Sequence, residues 1–157
     1  MKHQILLIVC LLCLSLTGYA QDKLFDKFSD MDQVSSVYIS KSMFQMMSEL
    51  STAGLNLIHL KGKIDNLQVL STENAAVREE MKKDFHAAIG KTYESWMKVK
   101  SEGTKADFMV KKSGDKLHEM IMLADTDSSY VVIRMTGNFT MDDLQELAGQ
   151  SENDNKK

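Results

Sequence analysis

The stretch HEMIM, residues 118–122, sets an imidazole and two thioethers, those of His118, Met120 and Met122, at alternating positions. Alternate residues of a β-strand point to one face, and an imidazole with two soft sulfur donors is a ligand set for Cu(I) or Ag(I). Methionine is also an adaptable packing residue, so a half-covered strand explains the same pattern without a metal. HEMIM lacks the second histidine of a zincin helix, which removes the protease reading. A second methionine-rich stretch, SKSMFQMMSEL from Ser40 to Leu50, has the M-x-x-M spacing but no histidine. There Met43, Met46, Met47, Leu50 and Ala53 fall at helical spacing between Ser40, a good N-cap, and Gly54, a good stop, so a buried helical stripe is expected.

Other motifs carry less. GKT at Gly90 to Thr92 resembles the end of a phosphate-binding loop, but Phe85 stands where that loop needs its first glycine. DTDSSY alternates oxygens at Asp125, Asp127 and Ser129 as a calcium loop does, yet Tyr130 replaces the turn glycine and Thr136 the closing carboxylate. A solvated hairpin turn is expected instead. NFT at Asn138 to Thr140 is a glycosylation sequon. His59, His86 and His118 fall on unrelated elements, with no nucleophile elbow, glycine-rich nucleotide loop or paired carboxylates beside them. The expectation is a non-enzyme without a cofactor.

The elements that hold these residues can be read in order. MKHQILLIVCLLCLSLTGYA has a basic start at Lys2, an apolar run from Ile5 to Leu16 and small residues at Gly18 and Ala20, the layout of a signal peptide cleaved after Ala20. The run is shorter than the ~20 residues of a membrane-spanning helix. Both cysteines, Cys10 and Cys13, lie within it, so disulfides and thiolate chemistry are not expected in the mature chain. From residue 21 onward, 18 basic residues face 22 acidic ones without a basic patch, which argues against a nucleic-acid partner. Residues 21–149 form one expected domain and 150–157 a disordered tail.

Leu24, Phe25, Phe28 and Met31 suggest a first helix, and VSSVYIS a first strand. LNLIHLKGK is open between helix and strand. KIDNLQVLSTEN reads as a strand with Leu67 and Val69 on one face. Val77, Met81, Phe85, Ala88 and Ile89 then mark a helix from Asn74 to a stop at Gly90. TYESWMKVK, KADFMVKK, KLHEMIMLA and YVVIRMTG follow as strands joined by short turns, and Thr140 with Asp143 opens a last helix closed by Gly149.

The expected fold is α+β, an antiparallel sheet built on a four-stranded meander with helices packed on one face. Simple alternation puts Met97, Val99, Phe108, Val110, Leu117, Ile121, Leu123, Val131, Ile133 and Met135 on the core face. The opposite face then carries Trp96, Met109, Met120, Met122, Tyr130 and Val132, a composition that suits recognition of a protein partner. Another envelope protein is the expected partner, and self-association is compatible.

FDKFSDMDQVSSVYISKSMFQMM, KIDNLQVLSTEN, YESWMKVKSEG and YVVIRMTGNFTMDDL together resemble the exported proteins of Bacteroides-type bacteria gathered as domain-of-unknown-function family 4252. The resemblance spans nearly all of the mature chain. It implies a Gram-negative periplasm or cell envelope and supplies no catalytic residues. Relatives encoded near extracytoplasmic sigma factors suggest an envelope-stress or signalling setting.

Overall fold

A computed structural model describes residues 17–46, 51–52, 55–56, 60, 62–90 and 92–146. The apolar leader with its two cysteines, Gly149 and the 150–157 tail lie outside the described residues. The first helix, α1 (Thr17–Ser29), buries Phe25 and Phe28 at i, i+3, the spacing that aligns side chains on one helix face. The chain then turns into β1 (Ser35–Ser40) and a short helix, α2 (Lys41–Met46). Two small strands, β2 (Ser51–Thr52) and β3 (Leu55–Asn56), pair with each other. The remaining elements are β4 (Ile64–Thr72), α3 (Ala75–Ile89), β5 (Glu94–Ser101), β6 (Thr104–Ser113), β7 (Lys116–Thr126) and β8 (Tyr130–Phe139).

The principal sheet has six antiparallel strands in the order β1-β4-β8-β7-β6-β5. The expected antiparallel sheet, built on a four-stranded meander, has six strands. The strands β5 to β8 are joined to β4 and β1, because β8 has a second free side and buries Leu67 and Leu70 of β4 against it. Helices cover both faces rather than one. Under α1 and α3, Phe25, Phe28, Met81, Phe85 and Ile89 pack on Leu70, Ile121, Leu123, Tyr130 and Val132. On the reverse face Phe44 of α2, Leu60 and Leu144 pack with Leu67, Phe108, Val110, Met120, Met122, Ile133 and Met135. Six consecutive residues of β7, from Glu119 to Ala124, are buried, as expected of a strand covered on both sides.

Local chemistry fixes the turns. Asn74 Oδ1 accepts hydrogen bonds from the backbone N–H groups of Ala76 and Val77 at 3.1 Å, capping α3, and Gly90 ends it. In the β5–β6 turn Gly103 has φ 69°, a left-handed conformation that favours glycine, and a Cβ there would also oblige the exposed Asp127 carboxylate to swing aside. Thr140 and Asp143 form the expected reciprocal cap: Thr140 N–H donates to Asp143 Oδ2 at 2.8 Å, and Asp143 N–H to Thr140 Oγ1 at 3.3 Å.

The methionine-rich helix is shorter than its pattern suggests. Its described residues run to Met46, and Ser51–Thr52 is already extended, so the helix does not continue through Ser51 as a stripe to Ala53 requires. Its buried anchor is Phe44, while Met43 and Met46 are exposed; Met47 and Leu50 lie outside the described residues. A single aromatic seated between β4 and the segment at Leu60 fixes so short a helix, which leaves the thioethers on its outer side.

Candidate functional site

The soft-donor trio does not converge. The β6–β7 and β7–β8 registers both shift around residues 117–119, and that irregularity turns His118 out to solvent while Met120 and Met122 stay buried beside Phe108, Val110, Ile133 and Met135. Two irregularities, this one in β7 and the register shift between Ser95 and Met97 in β5, divide the six residues expected on one outer face. Leu117 and Met120 lie on the α2 side of the sheet, so a count by twos from Leu117 puts Ile121 and Leu123 on the wrong face. Trp96, Met120 and Met122 belong to the α2 side, and Met109, Tyr130 and Val132 to the α1–α3 side. Met120, Met122, Tyr130 and Val132 are buried. Trp96 is half-buried, set edge-on to Phe108 at 6.3 Å between ring centroids. The candidate core residue Val99 is exposed instead, because it lies on the outermost strand.

Two polar clusters organise the α1–α3 side. At the hairpin end, Asp125 takes Arg78 Nη2 on Oδ1 and Lys82 Nζ, at 2.7 Å, on Oδ2. Arg78 also donates to the carbonyls of Thr126 and Asp127, so the carboxylate that a calcium loop would need is committed to tying the β7–β8 turn to α3. Nearer the middle of the sheet, the buried Arg134 donates through Nε to Glu119 Oε1, and through Nη1 to Asp22 Oδ1 at 2.5 Å and Gln68 Oε1 at 3.2 Å. Its guanidinium carbon lies 5.6 Å from the centre of the Phe25 ring. Burial, and then the charge of Glu119, pushes the Tyr93 hydroxyl far above its ordinary range. These groups carry α1 and α3 on the sheet, and their carboxylates are paired with cations.

Burial disfavours the charged form of Asp125, but Lys82 and Arg78 outweigh it and hold its pKa below the usual carboxylate value. A depressed folded-state pKa stabilises the fold above the unfolded value of about 3.9 and ceases to do so as pH falls through the folded one. Asp125→Asn should therefore show a constant stability deficit at neutral pH that shrinks below about pH 4. Urea unfolding of both proteins across that range measures it; a deficit independent of pH in the acid limb would show that the ion pairs contribute nothing.

The two sheet edges differ. The outer strand β5 carries Lys98 and Lys100, an ion pair from Glu94 to Lys112 at 2.8 Å, and a register shift between Ser95 and Met97. Charge and irregularity are the devices by which proteins block an edge. The opposite edge, β1, reads SSVYIS, has no charged side chain, and keeps an unbroken register from Ser35 opposite Ser71 to Ser40 opposite Asn66. Val37 and Tyr38 are 51 % and 64 % exposed, and point to opposite faces. Beside Tyr38 a groove of about 280 Å³ runs between this strand and α1, lined by Phe25, Asp26 and Ser29 on the helix side and by Ser36, Gln68 and Leu70 on the sheet side. That volume falls below the ~300–1,000 Å³ of sites that enclose drug-sized ligands, and the more distinctive feature is the outer backbone edge of β1, which no strand among the described residues pairs.

The match to known families is decided over this same framework. The family model for a domain of unknown function, DUF4252, matches residues 28–147, from the last buried phenylalanine of α1 to just beyond the helical residues 141–146. The chain belongs to the DUF4252 family. No match is found among curated proteins. The matched span of this DUF4252 chain includes all six strands, the Arg78 and Arg134 clusters and the bare edge. Asp22, which completes the Arg134 cluster, precedes the span.

The bare edge could not be found from sequence alone. SSVYIS is legible as a strand, but its position at the margin follows only from the pairing of β4 with β8, which are joined by a long connection. The lysines of β5 were the readable half of the contrast.

Proposed function

We propose that this DUF4252 chain is an exported cell-envelope protein that works by binding protein, without catalysis of its own, and that it binds by accepting a strand along β1. The carrying observation is the asymmetry of the sheet: one edge is charged and irregular, while the other is uncharged and regular, with Val37 and Tyr38 exposed. A strand edge offers a row of unpaired backbone N–H and C=O groups, which supply affinity, and flanking side chains supply selectivity. The leader-like N-terminus and the resemblance to exported proteins support the envelope assignment, and a signalling or stress-response setting fits a binding module. The outer-face surface first expected around Trp96 and Met109 gives way to this edge, because most of its residues are packed between sheet and helices.

A photo-crosslinking residue at position 38 of the full-length, tagged protein tests the proposal in its native cells. The expected result is a discrete covalent adduct with a protein chain, reduced about tenfold or more by Val37→Lys. Because Val37 is half exposed, this variant should retain the thermal transition of the unmodified protein. Absence of an adduct, or an adduct indifferent to Val37→Lys in a folded protein, overturns the strand-accepting role.

A further inference from the structure

The bare edge carries information about what occupies it. The residues leading into β1 include the exposed carboxylates Asp30 and Asp32, and the residue leaving it is Lys41, whose side chain is 53 % exposed and reaches Asp65 of β4 at 2.8 Å in a surface ion pair. A second copy laid antiparallel along β1 would bring the acidic entry of each strand beside Lys41 at the exit of the other, where a surface ion pair such as that to Asp65 contributes little and can exchange partners. A parallel arrangement would put like ends together. We infer that the occupant of β1 is a second copy of this chain, and that the two six-stranded sheets join edge to edge about a two-fold axis at Val37. This rests on the reading of β1 as a strand-accepting edge.

The two-fold axis must stand perpendicular to the sheet, so that each face continues into the same face of the other copy. Residues opposite one another then share a face: Val37 meets Val37 of the second copy, and Ser36 meets its Tyr38. A β-branched pair and an aromatic-to-small pair are compatible cross-strand neighbours. The groove between α1 and β1 leaves space on the Tyr38 side.

The assembly also closes. Isologous contact uses the one bare edge of each copy, and the outer edges of the joined sheet are the two β5 strands, each with Lys98, Lys100 and a bulge. The arrangement gives a dimer and disfavours an open fibre.

A charge-swap experiment on the purified mature chain reads this directly. Sedimentation equilibrium at micromolar concentration should give a two-chain mass for the unmodified protein. Val37→Lys and Val37→Glu, each of which sets like charges opposite one another, should each give monomer, with association weakened about tenfold or more. Mixing the two variants in equal amounts should restore the dimer. Val37→Cys, in a chain otherwise without cysteine after residue 20, should oxidise to a disulfide-linked pair, and Ser35→Cys should not. An unmodified protein that is monomeric overturns the inference, as does a dimer indifferent to either charge at position 37. A monomer whose crosslinked adduct is a different protein, lost in Val37→Lys, refutes self-pairing while the strand-accepting site stands. A monomer with no such adduct refutes both.

Discussion

Arg134→Met is expected to destabilise the fold by about 3–5 kcal/mol. Arg134 is 8 % exposed and Glu119, its partner on the neighbouring strand, 7 %. Removing the arginine leaves a carboxylate buried between a sheet and α1 with its principal counter-charge gone, and the cost of such a group exceeds that of a lost surface ion pair several-fold. The double variant Glu119→Leu with Arg134→Met removes both charges and should recover most of the loss, because apolar replacements of a buried pair are often neutral or better. Urea denaturation of the four proteins of that cycle gives the coupling energy. A single-variant loss under about 1 kcal/mol would mean that Glu119 is not sequestered as the structure shows. Arg134 also holds Asp22, 112 residues away, so backbone hydrogen exchange in α1 should accelerate in the single variant.

Phe85→Ala is the second large effect, at about 3–5 kcal/mol. The ring lies between two from α1: Phe25 edge-on, with centroids 5.2 Å apart, and Phe28 stacked at 5.7 Å. Truncation creates a cavity at the junction of two helices and the sheet, and these aromatic contacts are lost together. Phe85→Leu, which keeps most of the volume, should cost much less. The exposed ion pairs from Lys27 to Glu80 and Asp84, 2.6 and 2.7 Å long, cannot compensate, since surface pairs contribute little each. Thermal unfolding and limited proteolysis within α1 provide the measurements. Equal stability of the alanine and leucine variants would show that the site collapses around the missing ring.

Most elements were legible because each had its own local signal. Asn74 and Gly90 bracket α3, Thr140 and Asp143 cap the last helical residues, and glycines mark the two tight hairpins. Side-chain direction was less legible. In β7 an irregularity at residues 117–119 reverses the parity of everything after it, and a strand buried on both faces has no polar alternation to expose the error. For the same reason Tyr130 and Val132 read equally well as surface or core until α3 is placed over them. The short helix α2 shows the opposite failure: its methionine spacing is regular, but Phe44 does the anchoring. The candidate binding edge was the least legible part, because it depends on which strand lies at the margin among the described residues, a property of the whole sheet.

The strand order also constrains how this chain comes into being. The last strand in sequence, β8, occupies the middle of the sheet, between β4 and β7. Until residues 130–139 are available, β1 and β4 have nothing to join them to β5, β6 and β7, and Asp22 has no Arg134 to hold. Closing the sheet therefore waits on contacts between distant parts of the chain, a slow class of folding step. Residues 130–139 would have to be free to pair before the six-stranded sheet could be completed. Loss of β8 would therefore split the sheet in two and be equivalent to loss of the fold.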